Sequence, residues 1–305
     1  MGAKVTTGGV RSFQEVTALS PDGSISKDLF LPYMTRVEAA KAVTDEAVLL
    51  VPVATIEQHG DHGPLQTDID NCLAICLAAA EKVNPDVRCV VAAPVWWSIS
   101  PFDVSQYPGC IRLREDVFKE ALGDVVESYL FGGFKKIALV NGHGGGTEWM
   151  IPEVVYRLNR GESHLFPDRR VPPGSIVVTF SWFPLLEVFA QEELMAARGN
   201  PEGCADWHGG DVETALQLYL RPNLVQMDRA RVGNRYQPLE FAPYDIGRSW
   251  YFQYIIAGYP PGPAHPGEMT GISGDPTLAT PELGKRILEL ASDVIGRFVR
   301  EFASR

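Results

Sequence analysis

Four short, unbroken apolar runs constrain this chain more than any other feature: residues 47–54 (AVLLVPVA), 88–95 (RCVVAAPV), 136–140 (KIALV) and 175–180 (SIVVTF). A run without polar alternation has no face to offer to water, so each predicts a strand covered on both sides. Segments with helical character fall at 69–82, 115–131, 184–197, 212–220 and 281–303. In 115–131 the apolar side comprises Val117, Leu122, Val125, Val126 and Leu130. Strands alternating with helices predict an α/β fold, a mainly parallel central sheet layered α/β/α by helices. Ligands of such sheets bind outside the carboxyl ends of the strands, so the residues just after each run are the ones to read for chemistry.

Length alone would allow two domains in 305 residues, but there is no repeat, low-complexity stretch or linker, and one domain over 1–305 is expected. Two stretches stand outside the layered core. Residues 167–174 (PDRRVPPG) read as a surface loop, and 229–268, aromatic and rich in Gly and Pro, as a lid, binding loop or subunit contact. With 27 basic against 38 acidic residues the formal charge is −11, which repels phosphate backbones and argues against nucleic acid. No apolar stretch approaches the roughly 20 residues of a membrane span. The first residues lack an apolar signal core, so neither membrane nor export is expected. Cys72, Cys76, Cys89, Cys110 and Cys204 form no C-x-x-C pair, which fits free thiols in a reducing cytoplasm. Cys72 and Cys76, one helical turn apart, read as small buried thiols.

After the first run comes Glu57-Gln58-His59-Gly60-Asp61-His62, then Asp68 and Asp70. In an extended chain Glu57 and His59 point to one side, and a carboxylate beside an imidazole is half of a divalent-metal site. Asp68, with two oxygens, could bridge two ions. After the third run comes Asn141-Gly142-His143-Gly144-Gly145-Gly146, whose glycines permit a tight turn and a close ligand. It lacks the Gly-Lys-Ser/Thr of a phosphate loop, and Thr147 stands where a dinucleotide fingerprint needs a small residue. A third cluster runs Asp206-Trp207-His208-Gly209-Gly210-Asp211-Val212-Glu213-Thr214. Glu213 could complete a ligand set, orient a water, or simply complement the helix dipole. His164 and His265 read as surface residues, and His62 either supports a ligand or does nothing. Carboxylates and imidazoles with few thiols suit Zn, Mn or Fe in a catalytic role.

Pro52-Val53-Ala54-Thr55-Ile56-Glu57-Gln58-His59-Gly60 followed by Asp68 resembles the creatininase family. So do Asn141-Gly142-His143-Gly144-Gly145, the stretch from His208 to Thr214, and Gly274-Asp275-Pro276-Thr277-Leu278-Ala279-Thr280. The resemblance runs from about residue 31 to 297. It implies a layered α/β fold, two divalent metal ions per subunit, hydrolysis of C–N bonds in small, often cyclic amides, and assembly as homo-hexamers. It further implies Glu57, His59, Asp68 and His143 as metal ligands, with Asp68 bridging, and His208 as an acid or base near the substrate. In the family's namesake enzyme a further ligand is a Glu two residues after the motif histidine. That position here is Gly145, and Glu213 is the candidate to replace it.

Asp61, the 102–110 stretch (FDVSQYPGC) and Gly146 also depart from the family pattern, so the metal site reads as retained and the pocket wall as changed. The expected reaction is attack of a metal-activated water on a carbonyl carbon, with Glu213 orienting the water and His208 protonating the leaving nitrogen. Trp207, Trp182 and Tyr107 are candidates for a flat wall around a ring, and Asp103 for a polar contact. Three alternatives lie within the family: opening of a keto-inositol ring, deformylation, and peptide trimming. A catalytically silent binding or assembly protein is the alternative outside it, opposed by the intact set of candidate ligands.

Overall fold

A computed structural model describes residues 26–84, 86–100, 107–199, 208–233 and 271–305. Four parallel strands, β1 (Val48–Val53), β2 (Cys89–Val91), β3 (Lys136–Asn141) and β4 (Ile176–Ser181), are ordered β2-β1-β3-β4. β1 lies at the centre, with Leu50 opposite both Val91 and Ala138, and β3 continues the sheet to β4. The apolar runs thus do become a parallel sheet. Only the second shrinks markedly, to three residues, with Val95 returning to β1 as an isolated bridge to Val53.

The pleat sends alternate residues of β1 to opposite faces. Val48 and Leu50 pack with α2 (Thr67–Val83), α7 (Asp211–Leu220) and α8 (Pro281–Ala303). Leu49, Val51 and Val53 pack with α3 (Glu115–Phe131) and α4 (Thr147–Asn159). Three elements depart from the sequence reading. α4 is not among the expected helices, and Pro152 lies within it, where an interior proline removes a hydrogen bond. It forms because Ile151, Val154 and Leu158 share a buried stripe against the sheet. The single helix expected over 184–197 is two, α5 (Trp182–Phe189) and α6 (Gln191–Ala197), separated at Ala190 with φ −148°. A short α1 (Arg36–Thr44), closed by a Thr35–Glu38 capping box, also precedes β1. Residues 167–174 form a loop, as expected. Most of the 229–268 stretch lies outside the described residues. Among the described residues no helix is long and apolar enough to cross a membrane.

The start of α7 is tied to the end of α6 by a buried ion pair. Arg198 donates from Nε and Nη2 to the two oxygens of Asp211, both at 2.7 Å, and Asp211 is fully buried. Removing one partner strands the other charge without water. Asp211→Ala is therefore expected to lose about 3–5 kcal/mol of unfolding free energy in a denaturant titration, and a loss below about 1 kcal/mol would contradict this account.

Candidate metal centre

The three sequence clusters meet at the carboxyl edge of the sheet. The chain leaving β1 brings Glu57 and His59, the first turn of α2 brings Asp68, the turn after β3 brings His143, and the first turn of α7 brings Glu213. Four of the five are buried, and Glu213 is partly exposed. Gly142 allows the closeness: a Cβ there would stand 2.6 Å from the Cβ of Cys72 on α2. The turn carrying His143 can sit directly on the helix carrying Asp68 only because residue 142 has no side chain.

Asp68 divides its carboxylate between two imidazoles. Oδ1 lies 3.0 Å from His59 Nε2, and Oδ2 lies 3.2 Å from His143 Nδ1. Glu57 Oε1 is 3.0 Å from the same His143 Nδ1, and its Oε2 accepts from Ser100 Oγ at 3.0 Å. Glu213 Oε2 is 3.6 Å from His59 Nε2 and accepts the Gly209 N–H at 2.6 Å. Of the three donor triads that result among the described residues, Glu57–Asp68–His143 and His59–Asp68–Glu213 share Asp68, and Glu57–His59–His208 lies toward the rim.

A divalent cation fits this donor set. His143 gives its Nε2–H to the Ile99 carbonyl at 2.9 Å, and His59 gives its Nδ1–H to the Glu57 carbonyl at 3.1 Å. Each neutral ring then turns a bare lone pair toward carboxylate oxygens about 3 Å away. That contact is repulsive unless a proton or a cation lies between. Asp68 Oδ2, buried without a hydrogen bond, is the clearest case. Imidazoles anchored through one nitrogen to a carbonyl, with the other facing acidic groups, are the usual surroundings of metal-binding histidines.

Without an ion, protons fill the gap. Burial pulls the His59 ring down, but Asp68 and Glu213 outweigh it and raise the pKa from 6.5 to about 10. Burial likewise opposes protonation of His143, yet Glu57 and Asp68 lift it well above its ordinary value. Burial would raise Glu57, but the neighbouring imidazoles of His143 and His208 hold it below the usual range. Glu213 is raised, chiefly by burial. Both imidazoles thus carry a proton at neutral pH in the ion-free chain and must release it to ligate. Ion binding at pH 7 is expected to release about two protons per chain and to strengthen as pH rises. Calorimetry in buffers of different ionisation enthalpy measures this, and binding without proton release would refute it.

Other expected site residues are placed unevenly. His208 follows the third cluster to the rim, its Nδ1 3.5 Å from Glu57 Oε1 and its ring 4.4 Å from that of His59. Trp182 lines a cleft beside the centre, shared with Asn141, His143, Phe183 and Glu213. Tyr107 is half-buried in a turn closed by the Cys110 N–H on its carbonyl and is not among the residues lining that cleft. Trp207 and Asp103 lie outside the described residues, as do His265 and Cys204. Cys72, Cys76 and Cys89 are buried free thiols, and His164 is an exposed residue paired with Glu120.

Sequence reasoning did not find Phe183, Ser100 or Ile99. Phe183 and Ile99 carry no donor side chain, and the two anchors at 99 and 100 act through contacts more than 40 residues away in sequence. His62, undecided in the sequence, is buried and hydrogen-bonds Thr214 Oγ1 from Nε2 at 2.8 Å. It thereby braces the turn that carries Glu213.

Comparison with known proteins shows the family. A family model described as creatinine amidohydrolase matches residues 32–299. A 3-dehydro-scyllo-inosose hydrolase of Thermotoga maritima is 26% identical over 91% of this chain and 84% of its own length. A creatinine amidohydrolase of Pseudomonas putida is 26% identical over 91% and 98%. A solved structure described as creatininase Mn superposes with a TM-score of 0.67 at 22% identity, covering 90% of this chain and 98% of that one. With its motifs gathered at one sheet edge and a family match over most of its length, the chain belongs to the creatininase family of hydrolases.

Proposed function

We propose that this protein is a metal-dependent hydrolase of a small cyclic amide. The observation that carries the reading is the sharing of Asp68, whose two oxygens lie against His59 and His143 in two separate donor triads. Glu57, Asp68 and His143 would hold one divalent ion, and His59, Asp68 and Glu213 a second. When bound, such ions supply a water acidified toward neutrality and a Lewis acid for the substrate carbonyl.

The chain's own groups do the rest. Ser100 and the Ile99 carbonyl keep Glu57 and His143 from turning away, so the donors are positioned before substrate arrives. The Gly209 N–H holds Oε2 of Glu213, which places this carboxylate to orient the attacking water. His208, at the rim beside Glu57 and His59, is the group to protonate the leaving nitrogen. Trp182, Phe183 and Pro184 offer a largely apolar wall to a flat ring, while Asn141 and Ser181 add polar contacts.

A second reading, hydrolytic opening of a carbocyclic ketone, is favoured by the likeness to the inosose hydrolase, which extends over 91% of this chain. The test is to load the protein with Zn or Mn and incubate it with lactams, cyclic ureides, formamides and keto-inositols, following the gain of one water by mass spectrometry. Ring opening of an amide supports the first reading. Turnover confined to keto-inositols replaces it with the second.

A further inference from the structure

The two helices that carry acidic donors to the centre are joined by a pair of buried amides. Asp68 and Asn71 stand three apart on α2, and Glu213 and Gln217 four apart on α7, so each amide lies one turn behind a carboxylate on the same side of its helix. Gln217 donates from Nε2 to Asn71 Oδ1 at 2.8 Å, and the same nitrogen reaches the Thr67 carbonyl at 3.4 Å. Asn71 in turn donates from Nδ2 to the Glu213 carbonyl at 3.4 Å. Each side chain thus touches the turn of the opposite helix that holds the donor. Turning either amide over would set oxygen against a carbonyl, so the network fixes both orientations.

Stability does not account for the pair. Both residues are 1% exposed, and Cys72 and Ile75 of α2 belong to one apolar cluster with Val212, Leu216 and Leu220 of α7. Oε1 of Gln217 is buried without a hydrogen bond among the described residues, a cost that an apolar seam would not carry. What the amides add is direction. Apolar contacts tolerate a slide along the helix axes, whereas a hydrogen bond between side chains sets one register. Asp68 and Glu213 need such a constraint, because two carboxylates brought to one site repel each other until a cation lies between them.

We propose that Asn71 and Gln217 are positioning residues that set the spacing of Asp68 and Glu213, and so the affinity of the ion held by His59, Asp68 and Glu213. The inference rests on the metal-dependent reading above. The triad of Glu57, Asp68 and His143 takes no donor from α7, so a shift of α7 leaves it intact.

Replacing the pair by apolar side chains of similar size, Asn71→Leu with Gln217→Met, separates positioning from stability. The metal-free full chain is titrated with Zn²⁺ against a chromophoric chelator. One of two binding steps is expected to weaken about 10–100-fold and the other to hold, while the denaturation midpoint of the metal-free chain stays level or rises. Two unchanged steps would overturn the proposal. So would equal weakening of both steps with a lowered midpoint, which packing damage alone produces. If the apolar pair does not fold, the wild type decides through linkage: an ion that the clasp strengthens must strengthen the clasp in return. Exchange of the Asn71 and Gln217 side-chain amide protons, followed by NMR, should then slow with one of two Zn²⁺ equivalents and not with the other. Exchange that ignores Zn²⁺, or slows equally with both, would overturn it. A wild type that takes up no Zn²⁺ fails the metal-dependent reading itself, a result distinct from these.

Discussion

Replacing His143 by Ala is expected to abolish binding of at least one metal ion and to lower turnover by about 10³-fold or more. Glu57→Ala should do the same. Each side chain meets the other at 3.0 Å, and His143 also reaches Asp68 at 3.2 Å, so removing either leaves a triad with two donors. The neighbours would not relax into the gap, because Ser100 and Ile99 hold the remaining groups in place. Elemental analysis per chain before and after dialysis against a chelator reads the first effect, and turnover of whichever substrate the panel identifies reads the second. Both variants keeping a full metal complement and wild-type turnover would dismiss these residues as ligands. Loss of turnover with metal retained would move them from ion binding to substrate contact.

A second large effect, on stability, comes from a residue that carries no side chain. At Gly284, in the first turn of α8, an added Cβ would lie 1.9 Å from the backbone oxygen of Ala215 and 2.4 Å from its carbon, both in α7. No rotamer change relieves a clash with backbone, so the helices must separate. Gly284→Ala is expected to cost about 3–4 kcal/mol despite the gain in helix propensity, and Gly284→Val more. Because α7 also carries Glu213, metal affinity at that triad should fall alongside stability. Gly296, three turns further along α8, is the control. A Cβ there would meet the Val83 methyl at 3.3 Å, a small adjustment, so Gly296→Ala should change stability by less than about 1 kcal/mol. Equal denaturation midpoints for the two variants would mean that the α7–α8 contact is looser than these distances state.

How far the sequence reaches is seen in particular elements. The run 47–54 became β1 with every strand residue buried, because a strand sandwiched between helix layers has no polar face to display. α8 was legible to its ends, since Thr280, Pro281 and a long amphipathic stripe are local signals, and Thr280 Oγ1 does cap the helix by accepting the Leu283 N–H at 3.1 Å. α4 was illegible because Pro152 speaks locally against a helix while the sheet, distant in sequence, stabilises it.

Similar limits apply to the site. Glu57, His59, Asp68, His143, His208 and Glu213 stood out in sequence as donor residues in glycine-flanked turns or beside strand ends, and resemblance to the family supplied the grouping. Only the folded chain decides which nitrogen of His59 and of His143 faces inward. That choice depends on carbonyls at Glu57 and Ile99, and a main-chain carbonyl has no signature in the sequence. The same holds for Gly142 and Gly284. Their identity is plain in the sequence, but the need for it comes from Cys72 and Ala215, which lie about 70 residues away and which only packing brings within 3 Å. The kinds of donor and their order along the chain are properties of the sequence. Their distances, their bare lone pairs and the protons that an ion must displace arise from burial, which the tertiary structure alone creates.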